Sequence, residues 1–326
     1  MTFRIASAAA VLFLLCQGAS GCRKAKGSPK QSVAAPSASA APAPTARSAA
    51  KACSPACNSI EHCDSGRCVP HCPEGEVYIP ATGPDGFMMG RGKPGEFDQK
   101  HKVVLTHPLC MDQTEVTVAA YRRCVEAGHC TIPQLRDINS NYRPAYHRDK
   151  HPVNMVNWMQ ATAYCKSRGQ ALPTEAQFEW ASGHGDGRTW PWGNKPAPTC
   201  DNHFADFTPG GAPKSDPAGD VGCYGGDTSP VKSLKGIDRW PDGDLYEIGG
   251  NVWEWTADCY VAYPSTPQVD PSPQSHPRLH GDCYVRSLRG GGWNRSDHSM
   301  HPWVRAASKR TYRVGGLGFR CVRDPT

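Results

Sequence analysis

Beyond residue 15 the sequence has no apolar stretch that approaches the roughly 20 residues needed to cross a bilayer. The one sustained apolar run, at residues 5–15, follows the single basic residue Arg4. Small residues at positions 18–21 then precede Cys22. This order of basic, apolar and small residues predicts a signal peptide over residues 1–21. A permanent transmembrane helix is the alternative, but the run is only about half the required length.

The residues Ser20, Gly21 and Cys22 resemble a bacterial lipobox, in which the cysteine receives diacylglycerol, although Ala19 stands where that pattern prefers Leu. We therefore expect Cys22 to be lipidated. The chain would then be an exported lipoprotein of the bacterial cell envelope, periplasmic or at the outer membrane, with the membrane as one partner through the lipid anchor. Cleavage without lipid attachment is the alternative.

Residues 22–50 lack aromatic side chains and show no apolar periodicity, since Ala, Pro, Ser and Lys dominate them. Such a segment cannot bury enough apolar surface to fold, so we expect a disordered tether that starts at the lipidated Cys22. The excess of positive charge is also small: the formal net charge is +6, and part of it comes from basic residues of the tether. This modest balance argues against a nucleic-acid partner.

Cysteine, by contrast, is abundant: 14 of the 16 cysteines remain when Cys16 and Cys22 are set aside. A high, even count in an exported chain predicts disulfides. Five of these cysteines crowd residues 51–72, which we interpret as a small Cys-rich module; a zinc site is the alternative there. The five are Cys53, Cys57, Cys63, Cys68 and Cys72, and the nine others are Cys110, Cys124, Cys130, Cys165, Cys200, Cys223, Cys259, Cys283 and Cys321.

The counts of five and nine are both odd. If all 14 cysteines are oxidised, at least one disulfide must join the small module to the rest of the chain. Within the larger part, Cys124 and Cys130 bracket Gly128 and predict a local bridge. Two further loop pairs are expected: Cys200 with Cys223, and Cys259 with Cys283.

Long periodic runs are few after residue 72, and the pattern places only three helices. Apolar residues on one stripe predict a helix over residues 117–128, and an Asn cap with a following Gly predicts another over residues 157–168. A third helix begins at Thr174, which can form a capping box with Gln177. A short strand is predicted at residues 102–105. So much irregular backbone requires disulfides, buried tryptophans or bound ions to hold it.

Seven motifs lie in order between Glu74 and Arg323: Asp112-Gln113-Thr114-Glu115-Val116-Thr117, His151-Pro152-Val153-Asn154, Ala171-Leu172-Pro173-Thr174-Glu175-Ala176, Trp190-Pro191-Trp192-Gly193, Gly250-Asn251-Val252-Trp253-Glu254-Trp255, Arg289-Gly290-Gly291 and Gly318-Phe319-Arg320-Cys321. Together they resemble the motifs of the formylglycine-generating enzyme (sulfatase-modifying factor) family. The resemblance implies that family's domain over residues 73–326. It also implies the family's fold, which is α+β, loop-rich, low in secondary structure and related to C-type lectins.

Family members that are enzymes oxidise a cysteine of a substrate peptide to formylglycine with oxygen and a copper(I) ion, which two cysteines hold. The resemblance places those two positions at Arg295 and Met300. An arginine carries only hydrogen-bond donors and cannot bind a cation. We therefore expect no copper-dependent oxidation in its known form, and we assign no catalytic residue.

A speculative copper site remains in the same loop, where His298 and His301 flank Met300. Imidazole and thioether groups are ligands that copper accepts. Ordinary loop residues at the rim of the domain are the alternative.

The resemblance further implies a calcium loop at Glu247, Gly250, Val252 and Glu254, where Glu247 replaces an Asn of the enzymes. Oxygen ligands of this kind suit calcium. A Glu254 that only hydrogen-bonds the backbone is the alternative. The resemblance also implies a disulfide between Cys165 and Cys321.

Two classes of function follow from this reading. The first is a binding domain on a tether, whose groove near Trp253, Trp293 and Arg305 takes an envelope protein, a peptide or a glycan. The second is an enzyme, either an oxidase with altered metal ligands or another activity on the same scaffold. A structural role in an envelope complex is a third possibility.

Overall fold

The computed structural model describes residues 61–64, 66–70, 72–209, 223–225, 227–272 and 283–325. The predicted signal peptide, the predicted lipidation site Cys22, the expected tether and the first part of the expected small module lie outside these residues. No helix of the described part is both long and apolar enough to span a bilayer.

The described chain contains 14 short strands and three α-helices joined by long loops. The helices are α1 (Val118–Glu126), α2 (Trp158–Ser167) and α3 (Glu175–Gly183). The strands are β1 (Glu61–Asp64), β2 (Arg67–Pro70), β3 (Glu76–Ile79), β4 (Phe87–Met89), β5 (His101–Val104), β6 (Leu109–Asp112), β7 (Asp238–Trp240), β8 (Gly243–Leu245), β9 (Trp253–Cys259), β10 (Gln268–Val269), β11 (Val285–Arg289), β12 (Ala306–Lys309), β13 (Leu317–Gly318) and β14 (Val322–Arg323).

The predicted fold class, an α+β and loop-rich domain, is confirmed. The strands form several small sheets, of which the largest has the order β12-β11-β9-β13. Strand β9 pairs antiparallel with β11, with Leu288 opposite Trp255, and parallel with β13, with Gly318 opposite Glu254. Two three-stranded sheets have the orders β14-β6-β3 and β10-β5-β4. Strand β9, which carries the Gly250–Trp255 motif, thereby lies between the strands that carry Arg289 and Gly318 of two other motifs.

The three predicted helices are present because their start signals are local. Thr117 caps α1 by accepting from the amide of Ala120, while Asn157 and Thr174 each form a complete capping box at α2 and α3. Gly169 has a φ of +68° after α2, a conformation that favours glycine. The predicted strand at residues 102–105 is displaced by one residue, to His101–Val104.

The main core lies between α1, α2 and the largest sheet. Trp255 is fully buried, and its indole nitrogen donates to the carbonyl of Val156 at 3.1 Å. Tyr121 of α1 stacks on Tyr164 of α2 at 5.5 Å between ring centroids, and Phe319 meets the edge of this pair. Buried aromatic residues therefore fix α1 and α2 against the strand that carries the Gly-Asn-Val-Trp-Glu-Trp motif.

The structure contains the disulfides Cys124–Cys130 and Cys165–Cys321, which are two pairs expected from the sequence. The Cys200–Cys223 and Cys259–Cys283 pairs are also present. The last cysteine of the small module, Cys72, bonds Cys110 of β6. This bridge joins the module to the large domain, as the two odd cysteine counts predicted.

Replacing both Cys72 and Cys110 with alanine should destabilise the protein by roughly 4 kcal/mol, because the bridge closes a segment with a sequence separation of 38. The same double change at Cys124 and Cys130, with a separation of 6, should cost only about 2 kcal/mol and is the matched control. Urea unfolding measures both. Peptide mapping that linked Cys72 to another cysteine would contradict the premise.

Candidate functional site

The candidate site lies in the loop after β11, which turns at Gly290 and Gly291, with φ values of +92° and +78°. A Cβ atom on Gly291 would lie 2.5 Å from the hydroxyl of Ser299, so the turn packs tightly against a short 3₁₀ helix at Asp297–Met300. Strained backbone and close approach both require glycine here. The loop is therefore held against the end of β11.

The two positions that the resemblance assigns to copper cysteines differ in environment. Arg295 is exposed, and its carbonyl accepts from the amide of Thr208 at 2.8 Å. Met300 is 1% exposed and packs in a cluster with Trp190, Ala205 and Phe207. The Met300 side chain thus fills the core beneath the loop.

The structure brings two of the three speculative copper ligands together. The rings of His298 and His301 meet edge to face, with centroids 4.8 Å apart. Burial, the neighbouring His298 and the charge of Arg91 lower the pKa of His301 to about 4, so its imidazole is neutral near pH 7. A neutral imidazole is the form that binds metals. The thioether of Met300, by contrast, belongs to the buried cluster.

All 12 cysteines in the described residues are disulfide-bonded. A disulfide sulfur has no ionisable proton, whereas the thiolate is the form that binds a metal or acts as a nucleophile. The described part of the chain therefore has no thiolate to offer a copper ion or a reacting peptide.

The proposed groove residues differ in accessibility. Trp253 is partly buried, and the ring lies close to Gly292, where an added Cβ would be 3.2 Å from Trp253 Cδ1. Trp293 is 5% exposed, and its amide donates to the Asn251 carbonyl at 2.8 Å. Both tryptophans therefore pack around the loop of the candidate site.

Arg305, the third proposed groove residue, has a side chain that is only 1% exposed. Its guanidinium donates to both oxygens of Glu175, at 2.6 and 2.8 Å, and lies 3.8 Å from the ring centre of Tyr263. This charge is already neutralised inside the protein. Arg305 is thus a structural residue of the domain, and it has no free charge for a ligand.

The expected calcium residues lie beside a buried arginine. Both oxygens of Glu254 accept from Arg320 Nε, at 2.8 and 2.9 Å, and both side chains are fully buried. Glu247 accepts from the amides of Lys232 and Leu234. Burial raises the pKa of Glu247 and of Glu254.

Sequence reasoning missed a third carboxyl group, Glu115, in this cluster. It is 1% exposed, and neither oxygen has a hydrogen-bond partner. Burial raises its pKa well above the ordinary value, and the charges of Glu247 and Glu254 raise it further. The sequence shows that Glu115 belongs to the Asp112–Thr117 motif. Only the fold shows that its carboxyl group lies near those of Glu247 and Glu254.

If all three carboxyl groups are ionised, this buried cluster has a formal charge of −2, because Arg320 balances only one of them. A divalent cation or protonation would neutralise it. Carboxylate oxygens suit calcium, and those of Glu115 have no hydrogen-bond partner within the described residues, whereas both oxygens of Glu254 already accept from Arg320. In the described part, no three His, Cys, Asp or Glu side chains already converge on one metal position. An ion would have to draw the carboxylates together.

Comparison with known proteins gives matches over most of the chain. The "Sulfatase-modifying factor enzyme 1-like domain" matches residues 71–325. The formylglycine-generating enzyme of Streptomyces coelicolor is 30% identical over 300 residues, covering 78% of this chain and 91% of that protein. The inactive Cα-formylglycine-generating enzyme 2 of Bos taurus is 35% identical over 179 residues, covering 52% of this chain and 50% of that protein.

The formylglycine-generating enzyme of Mus musculus is 34% identical over 183 residues, which cover 55% of this chain and 45% of that protein. The chain thus spans about half the length of the mammalian relatives. Among solved structures, PvdO from Pseudomonas aeruginosa superposes with a TM-score of 0.54 at 21% identity, covering 76% of this chain and 94% of that chain. Treponema denticola variable protein 1 superposes with a TM-score of 0.52 at 21% identity, covering 77% of this chain and 95% of that chain. These structural matches support the fold.

Calcium binding remains a prediction, and the cluster sharpens its test. Calcium at a hundred times its dissociation constant should stabilise the fold by about 2.7 kcal/mol, which raises Tm by on the order of 5 to 10 °C. Glu115→Gln and Glu247→Gln should each reduce this rise, because each removes a negative charge from the cluster. The exposed Glu126→Gln is the control. Calorimetry in calcium and in chelator measures the shift, and an equal Tm in both would exclude the ion.

Proposed function

The chain belongs to the sulfatase-modifying factor family, and from that premise we propose that it is an exported binding member without copper-dependent oxidase activity. The observation that carries the proposal is the loop at residues 295–301. There an exposed arginine and a buried methionine, Arg295 and Met300, stand at the positions that the resemblance assigns to the copper cysteines.

The chemistry of this loop supports the loss of copper oxidation. The copper-dependent oxidation of cysteine in this family needs soft ligands that hold copper(I) and leave room for the substrate thiol. Arg295 offers only cationic donors, and Met300 is buried away from any approaching peptide. Since every described cysteine is disulfide-bonded, no neighbouring thiol can substitute. The remaining imidazoles, those of His298 and His301, supply two ligands at most.

The disulfides support an extracytoplasmic location. Such bridges form and persist in oxidising compartments and are rare in the cytosol. An oxidising compartment also offers few reduced cysteine peptides, which an oxidase of this family requires. Together with the signal-like sequence and Cys22, this favours a lipoprotein of the bacterial envelope, displayed on its Ala/Pro/Ser tether.

A binding role fits the surface around the candidate loop. The half-buried Trp253 next to Gly292 offers an aromatic edge on a rigid scaffold, because Gly290 and Gly291 fix the loop. Rigid aromatic residues contribute strongly to recognition surfaces. The partner would be an envelope protein, a peptide or a glycan.

An oxidase is the second candidate, and one observation favours it. The Streptomyces coelicolor relative, named a formylglycine-generating enzyme, aligns with 78% of this chain. The neutral imidazole of His301, next to His298, could contribute to a copper site of different composition.

The decisive assay incubates the full chain with a cysteine-containing sulfatase peptide, copper and oxygen, and follows the peptide by mass spectrometry. We expect no conversion of thiol to aldehyde above a protein-free control, because the described chain has no thiolate ligand. The Streptomyces coelicolor enzyme serves as the positive control. Conversion by this chain would overturn the proposal.

Copper binding is tested separately. In equilibrium dialysis, the wild type should retain no more copper than His298→Ala, because two imidazoles without a thioether form an incomplete site. His203→Ala, a change at an imidazole outside the loop, is the control. Stoichiometric copper in the wild type that is lost only in His298→Ala would instead support the oxidase alternative.

A further inference from the structure

A cavity of about 430 Å³ lies at the end of α3, between β4 and the residues Pro302 and Trp303. Pockets for small ligands in proteins are typically 300–1,000 Å³. All residues that line this cavity are in the described part of the chain. We call it the Arg91–Trp303 cavity, after two of these residues.

Buried contacts fix one wall of the cavity. Glu179 of α3 accepts from the amide of Gly90 at 2.7 Å and from the guanidinium of Arg289. Glu179 is 5% exposed, so Arg289 neutralises its charge inside the protein. Gly185, with a φ of +68°, packs so closely that a Cβ would lie 2.9 Å from Phe87 Cβ. The cavity is therefore largely formed before any ligand arrives.

The charges along the cavity are not balanced. Arg188 is held by Asp186 and by the buried Asp238, at 2.8 and 3.1 Å. In the part of the chain that the structure describes, neither Arg91 nor Lys100 forms an ion pair, and both are exposed. Two cations without an ion-pair partner among the described residues therefore line one cavity, and its lining has three cationic side chains, Arg91, Lys100 and Arg188, against the two carboxylates of Glu179 and Asp186.

A backbone hydrogen bond places Lys100 beside the segment of Arg91, and an aromatic ring orients the Arg91 guanidinium. The amide of Lys100 donates to the carbonyl of Gly92 at 2.9 Å, which keeps Lys100 beside the segment of Arg91. The Arg91 guanidinium lies over the Trp303 ring at 4.5 Å from its centroid. Such stacking orients an arginine and leaves the edge of its guanidinium available.

We propose that the Arg91–Trp303 cavity binds a small organic anion through its carboxylate, sulfate or phosphate group. The oxyanion contacts Arg91 and Lys100, because a guanidinium edge matches such groups with two parallel hydrogen bonds. The carbon skeleton of the ligand lies against Met88 and Pro302. The proposal rests on the binding function proposed above and assigns a ligand class to it.

Isothermal titration calorimetry of the full chain with glucuronate and with inorganic sulfate tests the proposal at low ionic strength. Glucose is the neutral comparison. Arg91→Gln and Lys100→Gln should each weaken binding about tenfold, because each removes a charge-assisted contact. Lys93→Gln makes the same charge change at an exposed residue outside the cavity and should bind like the wild type. Circular dichroism checks that each variant is folded.

Binding of either anion that weakens in both cavity variants but not in Lys93→Gln supports the proposal. Glucuronate binding without sulfate binding indicates a sugar acid, whereas binding of both indicates recognition of the oxyanion alone. Absence of binding, equal binding of glucose, or equal losses in all three variants would overturn it. If neither anion binds and the chain also produces no formylglycine, only the anion site is disproved, and the proposed function stands.

Discussion

The buried ion pair between Arg320 and Glu254 is the interaction on which the rest of the domain depends. Both side chains are fully buried. The remaining guanidinium donors reach the carbonyls of Asp112, Gln113 and Tyr246, at 3.2, 3.3 and 2.9 Å. Because burying a charge is costly unless all its partners are present, this arginine requires three separate segments to meet at β9. One side chain thus orders backbone that has little regular structure.

A second buried network fixes the root of the candidate loop. Burial acts to raise the pKa of Glu175, but the charge and hydrogen bonds of Arg305 outweigh burial and hold it below its ordinary value. Glu179 of the same helix binds Arg289, which also donates to the carbonyl of Pro302 at 2.7 Å. Arg289 is the last residue of β11 before the double-glycine turn. Helix α3 therefore holds both ends of the loop, through Glu179 to Arg289 and through Glu175 to Arg305.

The sequence predicted what local chemistry determines. The caps at Thr117, Asn157 and Thr174 require only neighbouring residues. If all 14 cysteines are oxidised, the odd cysteine counts require a bridge between module and domain whatever the fold. Contacts between residues far apart in the sequence could not be predicted in this way. Nothing near Glu115 indicates that it meets two other carboxylates, and the burial of Arg305 depends on a helix 130 residues earlier in the chain. The motifs identified the family, whereas the roles of its charged residues needed the structure.

Met300, at a position that the resemblance assigns to a copper cysteine, is integrated into the packing of the domain. A Cβ atom on Gly250 would lie 3.0 Å from the sulfur of Met300, so the glycine and the methionine fit each other. Trp190 and Phe207 complete the enclosure. A cysteine at position 300 would leave part of this volume empty, at a cost that grows with the size of the cavity. Its thiol would also face a closed apolar cluster. A copper ligand at position 300 would therefore require the surrounding loop to repack, so a single substitution there would not by itself present a thiol at the surface.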